Sequence, residues 1–253
     1  MAQIRCDFWS EALQVSTSMT VLIPQSAEGQ IGAANDVPAG DLPVLYLLHG
    51  LSDDHTAWTR YTSIERYLLD RPVAVVMPQV GRSFYSDEAH GHRYWTFLSE
   101  ELPSVVSRFF RFSERREDTY VAGLSMGGYG ALKWALRQPE RFAAAAGLSG
   151  ALDVAGLLAL PDRSEIAERV FDGDVGPEDD LFHLLERADP ATLPSLYVGC
   201  GTEDPLVGGS RRFIAVAQAR GIDVRTDLRP GGHEWALWDA VIRDVLAWLP
   251  STT

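Results

Sequence analysis

The chain has 253 residues, of which 46% are hydrophobic and 23% charged, as in a globular protein with one substantial core. Its net charge of −13, from 35 acidic and 22 basic residues, argues against nucleic acid and anionic membranes as partners. No apolar run approaches the roughly 20 residues of a membrane span, and the N-terminus lacks a secretory pattern, so we expect one cytoplasmic domain over residues 1–253.

The start of the chain predicts two β-strands and a loop. Residues 4–8 and 13–23 are rich in β-formers and favour an opening hairpin, and the stretch 25–41 indicates a surface loop. Short runs without polar residues follow at 44–48, 73–77, 120–122, 142–148 and 196–198. Runs that are apolar on both faces are typical of parallel strands that are covered by helices on both sides.

Helical periodicity separates these runs. Apolar residues at three- and four-residue spacing predict one helix through Tyr61, Ile64 and Leu68, and another through Leu98, Leu102, Val105 and Phe109, where Pro103 is compatible only near the start. Later helices are predicted at 131–136, 213–217 and 238–248. The alternation predicts a doubly wound α/β sheet with its chemistry at the carboxyl edge. Residues 150–193 interrupt it and indicate a small helical cap insertion.

Residues 123–127, Gly-Leu-Ser-Met-Gly, match the GxSxG pattern of a nucleophilic serine. The pattern alone is weak in a chain with 22 glycines, but a predicted strand precedes it and a predicted helix follows it. A tight strand-to-helix turn needs glycines beside the serine and presents its hydroxyl above the sheet edge. Ser125 is therefore the candidate nucleophile, and an ordinary serine in a glycine-rich turn is the alternative.

A serine hydroxyl needs a neighbouring base, which is most often a histidine. In folds with this strand–serine–helix turn the partners follow in the sequence order serine, acid, histidine. Only His183 and His233 come after Ser125. His233 stands in a Pro-Gly-Gly loop before the last predicted helix, whereas His183 lies inside the predicted insertion. We therefore assign His233 as the base and expect activity to fall when acid protonates it.

The acidic partner is expected where a strand ends between these two residues. The run 196–198 is followed by the adjacent carboxylates Glu203 and Asp204. Asp204 is the choice because Pro205 holds the shorter side chain in extended geometry, and Glu203 is the close rival. Other acids that lie in the insertion are expected to be solvated charges, such as Asp153, Asp172 and Asp174.

Two backbone amides are the predicted oxyanion donors. One is the N–H of Met126, which directly follows the candidate nucleophile at a helix N-terminus. The other is the N–H of Leu51, after the His49-Gly50 pair that ends the run 44–48. His49 is expected to support this loop through hydrogen bonds without transferring protons.

Aromatic residues cluster near these motifs, and Trp58 and Trp235 are the candidates for an acyl pocket, although tryptophan at helical spacing favours core packing over a pocket role. His90 and His92 have loose spacing and no ligand-bearing helix or strand, so a polar surface loop is favoured over a metal site. Cys6 and Cys200 also lack metal-ligand spacing and are expected to be free thiols.

With these pieces assembled, the sequence resembles the esterase D-like branch of the α/β-hydrolases, which includes tributyrin esterases, feruloyl esterases, S-formylglutathione hydrolases and mycolyltransferases. The resemblance covers residues 42–248 and is carried by segments 47–51, 123–132 and 232–235. It implies an α/β-hydrolase fold with a mostly parallel sheet of eight or nine strands and helices on both faces. It also implies a serine carboxylesterase that hydrolyses short acyl or aryl-acyl esters without a metal or organic cofactor.

Three other functions are compatible with the same residues. A thioesterase that acts on a conjugate such as S-formylglutathione is the nearest alternative, and an acyltransferase with a bound acceptor alcohol is another. A non-catalytic binding protein on the hydrolase scaffold would be indicated by a missing triad member, and none is missing. The expected partner is a small-molecule ester, and self-association into a homo-oligomer stays open.

Overall fold

A computed structural model describes residues 1–29, 31, 37, 39–69 and 71–250. Within these residues eight strands form one sheet in the order β1-β2-β4-β3-β5-β6-β7-β8. The strands are β1 (Ala2–Ser10), β2 (Val15–Ile23), β3 (Val44–Leu48), β4 (Ala74–Pro78), β5 (Thr119–Leu124), β6 (Ala144–Leu148), β7 (Ser195–Gly201) and β8 (Val224–Arg229). The predicted loop 25–41 lies partly outside the described residues.

The sheet is antiparallel at one end and parallel over the rest. β1 and β2 form the predicted hairpin, and β2 also pairs antiparallel with β4. All pairs from β4 through β3 to β8 are parallel. Every residue of β3, β4, β5 and β6 is buried, because helices cover both faces of these strands. This arrangement confirms the α/β-hydrolase fold.

Helices lie on both faces of the sheet. They are α1 (Ala57–Tyr61), α2 (Ile64–Tyr67), α3 (Tyr94–Thr96), α4 (Leu102–Phe109), α5 (Met126–Arg137), α6 (Val154–Leu158), α7 (Ser164–Phe171), α8 (Leu181–Arg187), α9 (Val207–Ala219) and α10 (Trp235–Trp248). Side chains alternate along β3, so Tyr46 packs into the core with α4, α5 and α9, while Leu45 and Leu47 pack into the core with α1, α2 and α10.

Two helices differ from their predictions. The helix expected through Tyr61 and Leu68 is broken into α1 and α2, because the Ser63 N–H bonds Asp239 Oδ1 at 2.7 Å instead of a helical carbonyl. The helix around Pro103 begins earlier than expected, at Tyr94, and passes through the π-helical turn Phe97–Glu101.

The π-helical turn accommodates Pro103, which has no N–H to donate. In a regular helix that N–H would bond the carbonyl of Ser99, and Arg141 Nη2 bonds this oxygen at 3.3 Å in its place. The carbonyl therefore keeps a donor although the helix continues through a proline.

The segment 150–193 contains α6, α7, α8 and the 3₁₀ turn Pro161–Arg163. Helix α8 packs on α5, and Tyr129 of α5 donates a hydrogen bond to the carbonyl of Asp179 at 2.7 Å. The segment is helical as predicted, and its motion as a cap stays a prediction. None of the described helices has the length and apolar character that crossing a membrane would require.

Candidate active site

Ser125 lies at the turn between β5 and α5, where its backbone adopts φ 54° and ψ −118°. This positive φ is strained for a residue with a side chain and costs on the order of 1–3 kcal/mol. The flanking glycines make the turn sterically feasible. A Cβ on Gly123 would lie 2.3 Å from the Gly127 carbonyl oxygen, and a Cβ on Gly127 would lie 2.4 Å from that of Leu48. The GxSxG spacing is therefore a packing requirement of this turn.

His233 lies in the loop between β8 and α10 and reaches Ser125 across the carboxyl edge of the sheet. Its Nε2 is 3.0 Å from Ser125 Oγ, and its Nδ1 is 2.8 Å from Asp204 Oδ2. With the proton on Nδ1, the imidazole donates to the carboxylate and accepts from the serine hydroxyl. The ring also packs edge-to-face on Trp238, with 4.8 Å between centroids, which restricts its orientation.

Asp204 follows β7 and is 1% exposed. Its Oδ1 accepts the Leu206 N–H at 2.8 Å, so both carboxylate oxygens have donors. Burial opposes ionisation, but the hydrogen bonds from His233 and Leu206 outweigh it and hold the pKa of Asp204 below its usual value. Its rival Glu203 is exposed and bonds Thr202 Oγ1 and the Gly231 N–H instead. The structure thus brings Asp204, and not Glu203, to His233.

The loop after β3 is held by hydrogen bonds to three successive carbonyls. Trp58 Nε1 donates to the Leu48 oxygen at 3.1 Å, and the Tyr85 hydroxyl donates to the His49 oxygen at 2.8 Å. The Gly50 oxygen bonds His49 Nδ1 at 2.7 Å and the Asp53 N–H at 3.2 Å. Sequence analysis missed Tyr85, since nothing in its local pattern marks a contact with a loop 36 residues away.

These bonds also orient the Leu51 amide. In a trans peptide the carbonyl of Gly50 and the N–H of Leu51 point in opposite directions, so fixing one fixes the other. Among the described residues neither the Leu51 N–H nor the Met126 N–H donates a hydrogen bond. Both amides are therefore available to a ligand beside Ser125, as the two predicted oxyanion donors require.

His49 is a support of this loop and is kept neutral. Its Nε2 accepts the Val80 N–H at 3.2 Å, which leaves the ring proton on Nδ1 for the Gly50 oxygen. Because the ring is 1% exposed, burial lowers the pKa of His49 to about 4.

A cleft of about 630 Å³ opens beside Ser125 and His233. Leu51, Asp53, Arg163, Trp235 and Trp238 contribute to its walls. Trp58 does not line the cleft, contrary to the prediction: it is 1% exposed and packs edge-to-face under Trp235, with 5.6 Å between ring centroids. Its indole N–H needs a buried acceptor, which it finds in Leu48, so its position follows from the fold.

His90 and His92, which were predicted to lie in a polar surface loop, do not line this cleft. His90 Nε2 pairs with Asp172 Oδ1 at 3.0 Å, and Glu168 lies nearby with all three side chains exposed. Cys6 and Cys200 are both free thiols.

An α/β-hydrolase fold with a serine at the turn after β5 defines the class of the serine hydrolases. The esterase family model matches residues 11–249, so the chain belongs to the esterase family, a family of carboxylic ester hydrolases. Over 98% of both chains it is 30% identical to an acetyl esterase of Caldicellulosiruptor saccharolyticus.

Two solved structures from Staphylococcus aureus are similar over nearly their whole length. The serine hydrolase FphF is 34% identical, with a TM-score of 0.88 over 99% of both chains. The S-formylglutathione hydrolase FrmB is also 34% identical, with a TM-score of 0.84 over 98% of both chains. These comparisons confirm the resemblance to the esterase D-like branch.

Proposed function

We propose that the chain is a serine carboxylesterase that hydrolyses short-chain acyl or aryl-acyl esters through an acyl-enzyme on Ser125. The observation that carries this proposal is the continuous hydrogen-bonded chain from Ser125 Oγ through both nitrogens of His233 to Asp204, at 3.0 and 2.8 Å. Nucleophile, base and orienting carboxylate are thereby within the distances that proton transfer requires.

The first half of the reaction forms the acyl-enzyme. Ser125 Oγ attacks the ester carbonyl while His233 Nε2 accepts its proton, and the negative charge on the carbonyl oxygen is stabilised by the Leu51 and Met126 amides. His233 then donates the proton to the departing alcohol. Asp204 keeps the imidazole in the correct tautomer and stabilises its cation.

The second half repeats these roles with water. His233 accepts a proton from water, the resulting hydroxide attacks the acyl carbon, and Ser125 leaves with the proton that His233 returns. The acetyl esterase relative supports a short acyl group, and Trp235 and Trp238 in the cleft wall offer apolar surface to an aryl group.

The test compares hydrolysis of p-nitrophenyl acetate, butyrate and octanoate by the wild type and by Ser125→Ala. We expect rates that fall with acyl length and that are abolished by the substitution. Mass spectrometry of wild type treated with a fluorophosphonate should find the phosphonyl adduct on Ser125. An active Ser125→Ala variant, or an adduct on another residue, would show that the nucleophile is misassigned.

A thioesterase is the second candidate, because the chain is 34% identical over 98% of its length to a structure named as an S-formylglutathione hydrolase. Thioesters and esters share the same acyl-enzyme chemistry, so the two functions differ in the leaving group alone. Turnover of a formyl thioester and of a butyryl ester, measured side by side, separates them. A kcat/KM that is at least about tenfold higher for the thioester would favour the second candidate.

A further inference from the structure

Lys133 is the only lysine of the chain, since the other members of its 22 Lys and Arg residues are arginines. It lies on α5, eight residues after Ser125, and its side chain is 0% exposed. A buried lysine is rare because an ammonium loses its hydration in the protein interior. The reaction proposed above gives it no role, so its charge needs a separate explanation.

The Lys133 ammonium has three hydrogen-bond acceptors, one for each of its N–H bonds. Nζ lies 2.8 Å from Ser86 Oγ, 2.9 Å from Asp179 Oδ1 and 3.3 Å from the Phe84 carbonyl oxygen. The ammonium therefore joins three segments: the nucleophile helix α5, the loop after β4, and the segment 150–193 that supplies Asp179.

Some of the groups around Lys133 favour its protonation, and others oppose it. Burial lowers the pKa of Lys133 to about 8, although Asp179 acts in the opposite direction; Arg137 lowers it and Asp87 raises it. The rings of Trp95 and Tyr129 lie 5.2 and 5.1 Å from Nζ and favour the cation. Lys133 is thus charged at neutral pH and can lose its proton in mildly alkaline solution.

Two of the three acceptors flank Tyr85 in the loop. Phe84 and Tyr85 have positive φ values of 50° and 53°, which residues with side chains rarely adopt. Within the turn the Tyr85 N–H bonds Ser83 Oγ and the Ser86 N–H bonds the Ser83 carbonyl oxygen, each at 3.1 Å, and Lys133 adds its two contacts from outside. The Tyr85 ring packs against α5 so closely that a Cβ on Gly130 would lie 2.4 Å from it. The Tyr85 hydroxyl donates to the His49 carbonyl, in the loop that ends with the Leu51 amide.

We propose that Lys133 is a positioning residue, whose protonated ammonium holds the Phe84–Ser86 turn so that Tyr85 keeps the oxyanion loop, residues 48–51 after β3, in its active geometry. The proposal rests on the esterase function and adds an alkaline limit to it. A neutral amine retains two N–H donors for three acceptors and no longer neutralises Asp179. The Ser86 hydroxyl can donate to the amine lone pair only by giving up Asp179 Oδ1 or the Phe84 carbonyl oxygen, so the cluster loses one hydrogen bond in either arrangement and its hold on the turn is weakened.

Loss of the Lys133 proton should therefore lower kcat and leave KM unchanged. A displaced Leu51 amide weakens stabilisation of the oxyanion, which exists in the transition state and not in the bound ester. Loss of one such donor costs about a hundredfold to a thousandfold, so we expect partial displacement to lower kcat about tenfold or more.

The single lysine makes the test direct. In protein labelled with ¹³C at lysine Cε, one signal reports the protonation of Lys133 between pH 6 and 10.5, and kcat and KM for p-nitrophenyl butyrate are measured over the same range. We expect kcat to fall with the midpoint of the NMR titration while KM stays constant. In Asp179→Asn both midpoints should move together to lower pH, because the carboxylate that favours the ammonium is gone.

Glu178→Gln is the matched control, since it removes one negative charge at the adjacent exposed residue, which pairs with Arg137 and not with Lys133. It should leave both midpoints unchanged. If Asp179→Asn does not fold, Arg137→Gln replaces it and should move both midpoints to higher pH.

A lysine that stays protonated to pH 10.5, or a decline in kcat whose midpoint differs from that of the NMR signal, would overturn the proposal. Neither result touches the esterase function, which fails separately if Ser125→Ala remains active.

Discussion

Gly127→Ala and Gly208→Ala form a matched pair that tests the packing of the nucleophile turn. Both glycines are the second residue of a helix, α5 and α9 respectively, so the gain in helix propensity is similar. At Gly208 an added Cβ meets no described heavy atom within 4 Å. At Gly127 it would lie 2.4 Å from the Leu48 oxygen and 2.7 Å from the His49 oxygen, so the backbone of the oxyanion loop must move.

The magnitudes follow from these contacts. Overpacking of a close contact costs about 1–3 kcal/mol, whereas glycine to alanine in a helix gains at most about 1 kcal/mol. For a domain of this size each kcal/mol changes Tm by about 2–4 °C. We expect Gly127→Ala to melt several degrees below wild type and to lose kcat at least about tenfold, because both displaced carbonyls precede the Leu51 amide.

Calorimetry and hydrolysis of p-nitrophenyl acetate measure the two effects. Gly208→Ala should melt at or above the wild-type temperature with unchanged kcat. A Gly127→Ala variant that matches Gly208→Ala in both Tm and kcat would refute the reasoning, since the loop would then tolerate a side chain at the turn.

Three further predictions concern the same cleft and its supports. Asp204→Asn should lower kcat about 10⁴-fold in steady-state assays, whereas Glu203→Gln should leave it nearly unchanged. Trp235→Ala should raise KM for p-nitrophenyl benzoate about two- to tenfold and leave that for acetate unaltered, because an aryl group loses a stacking partner worth about 0.5–1.5 kcal/mol. Burial lowers the pKa of His49 to about 4 in the folded protein. As the pH falls below 6.5, His49 is therefore protonated in the unfolded chain before it is protonated in the folded protein. Urea titrations should therefore show stability that is complete above about pH 6.5 and decreases by up to about 3 kcal/mol as the pH approaches 4, and His49→Gln should lack that component.

The parts of the fold and site that sequence analysis predicted are those set by local patterns. The buried strands are short apolar runs, and the turn at Ser125 needs glycines within two residues on either side. The pairing of Asp204 with His233 follows from a general rule, because both come directly after parallel strands whose carboxyl ends share one edge. These features depend on neighbours in sequence or on topology.

The parts that differ depend on contacts between distant residues. Trp58 is aromatic and close to the His49-Gly50 pair in sequence, yet it points into the core because the Leu48 carbonyl is there to accept its N–H. The break between α1 and α2 depends on Asp239, which is 176 residues from the Ser63 amide. No local pattern around Ser63 indicates its bond to Asp239, so periodicity alone predicts one helix where the structure has two. For Trp58 the helical spacing favours the core position that the structure shows, and closeness to the His49-Gly50 pair is the misleading signal.

Of the three side chains that hold the oxyanion loop, Trp58 and Tyr85 lie outside the loop and were not predicted in this role, whereas His49 lies in the loop and was. Three successive carbonyls are bonded by Trp58, Tyr85 and His49, which come from α1, from the loop after β4 and from the loop itself. Since all three donate to carbonyls and none lines the cleft, their loss should reduce kcat more than substrate affinity. Trp235 contrasts with these residues, because it lines the cleft and has no hydrogen bond to this loop. Removing its side chain should therefore change KM more than kcat. Measuring kcat and KM separately for Tyr85→Phe and Trp235→Ala therefore distinguishes support of the loop from contact with the substrate.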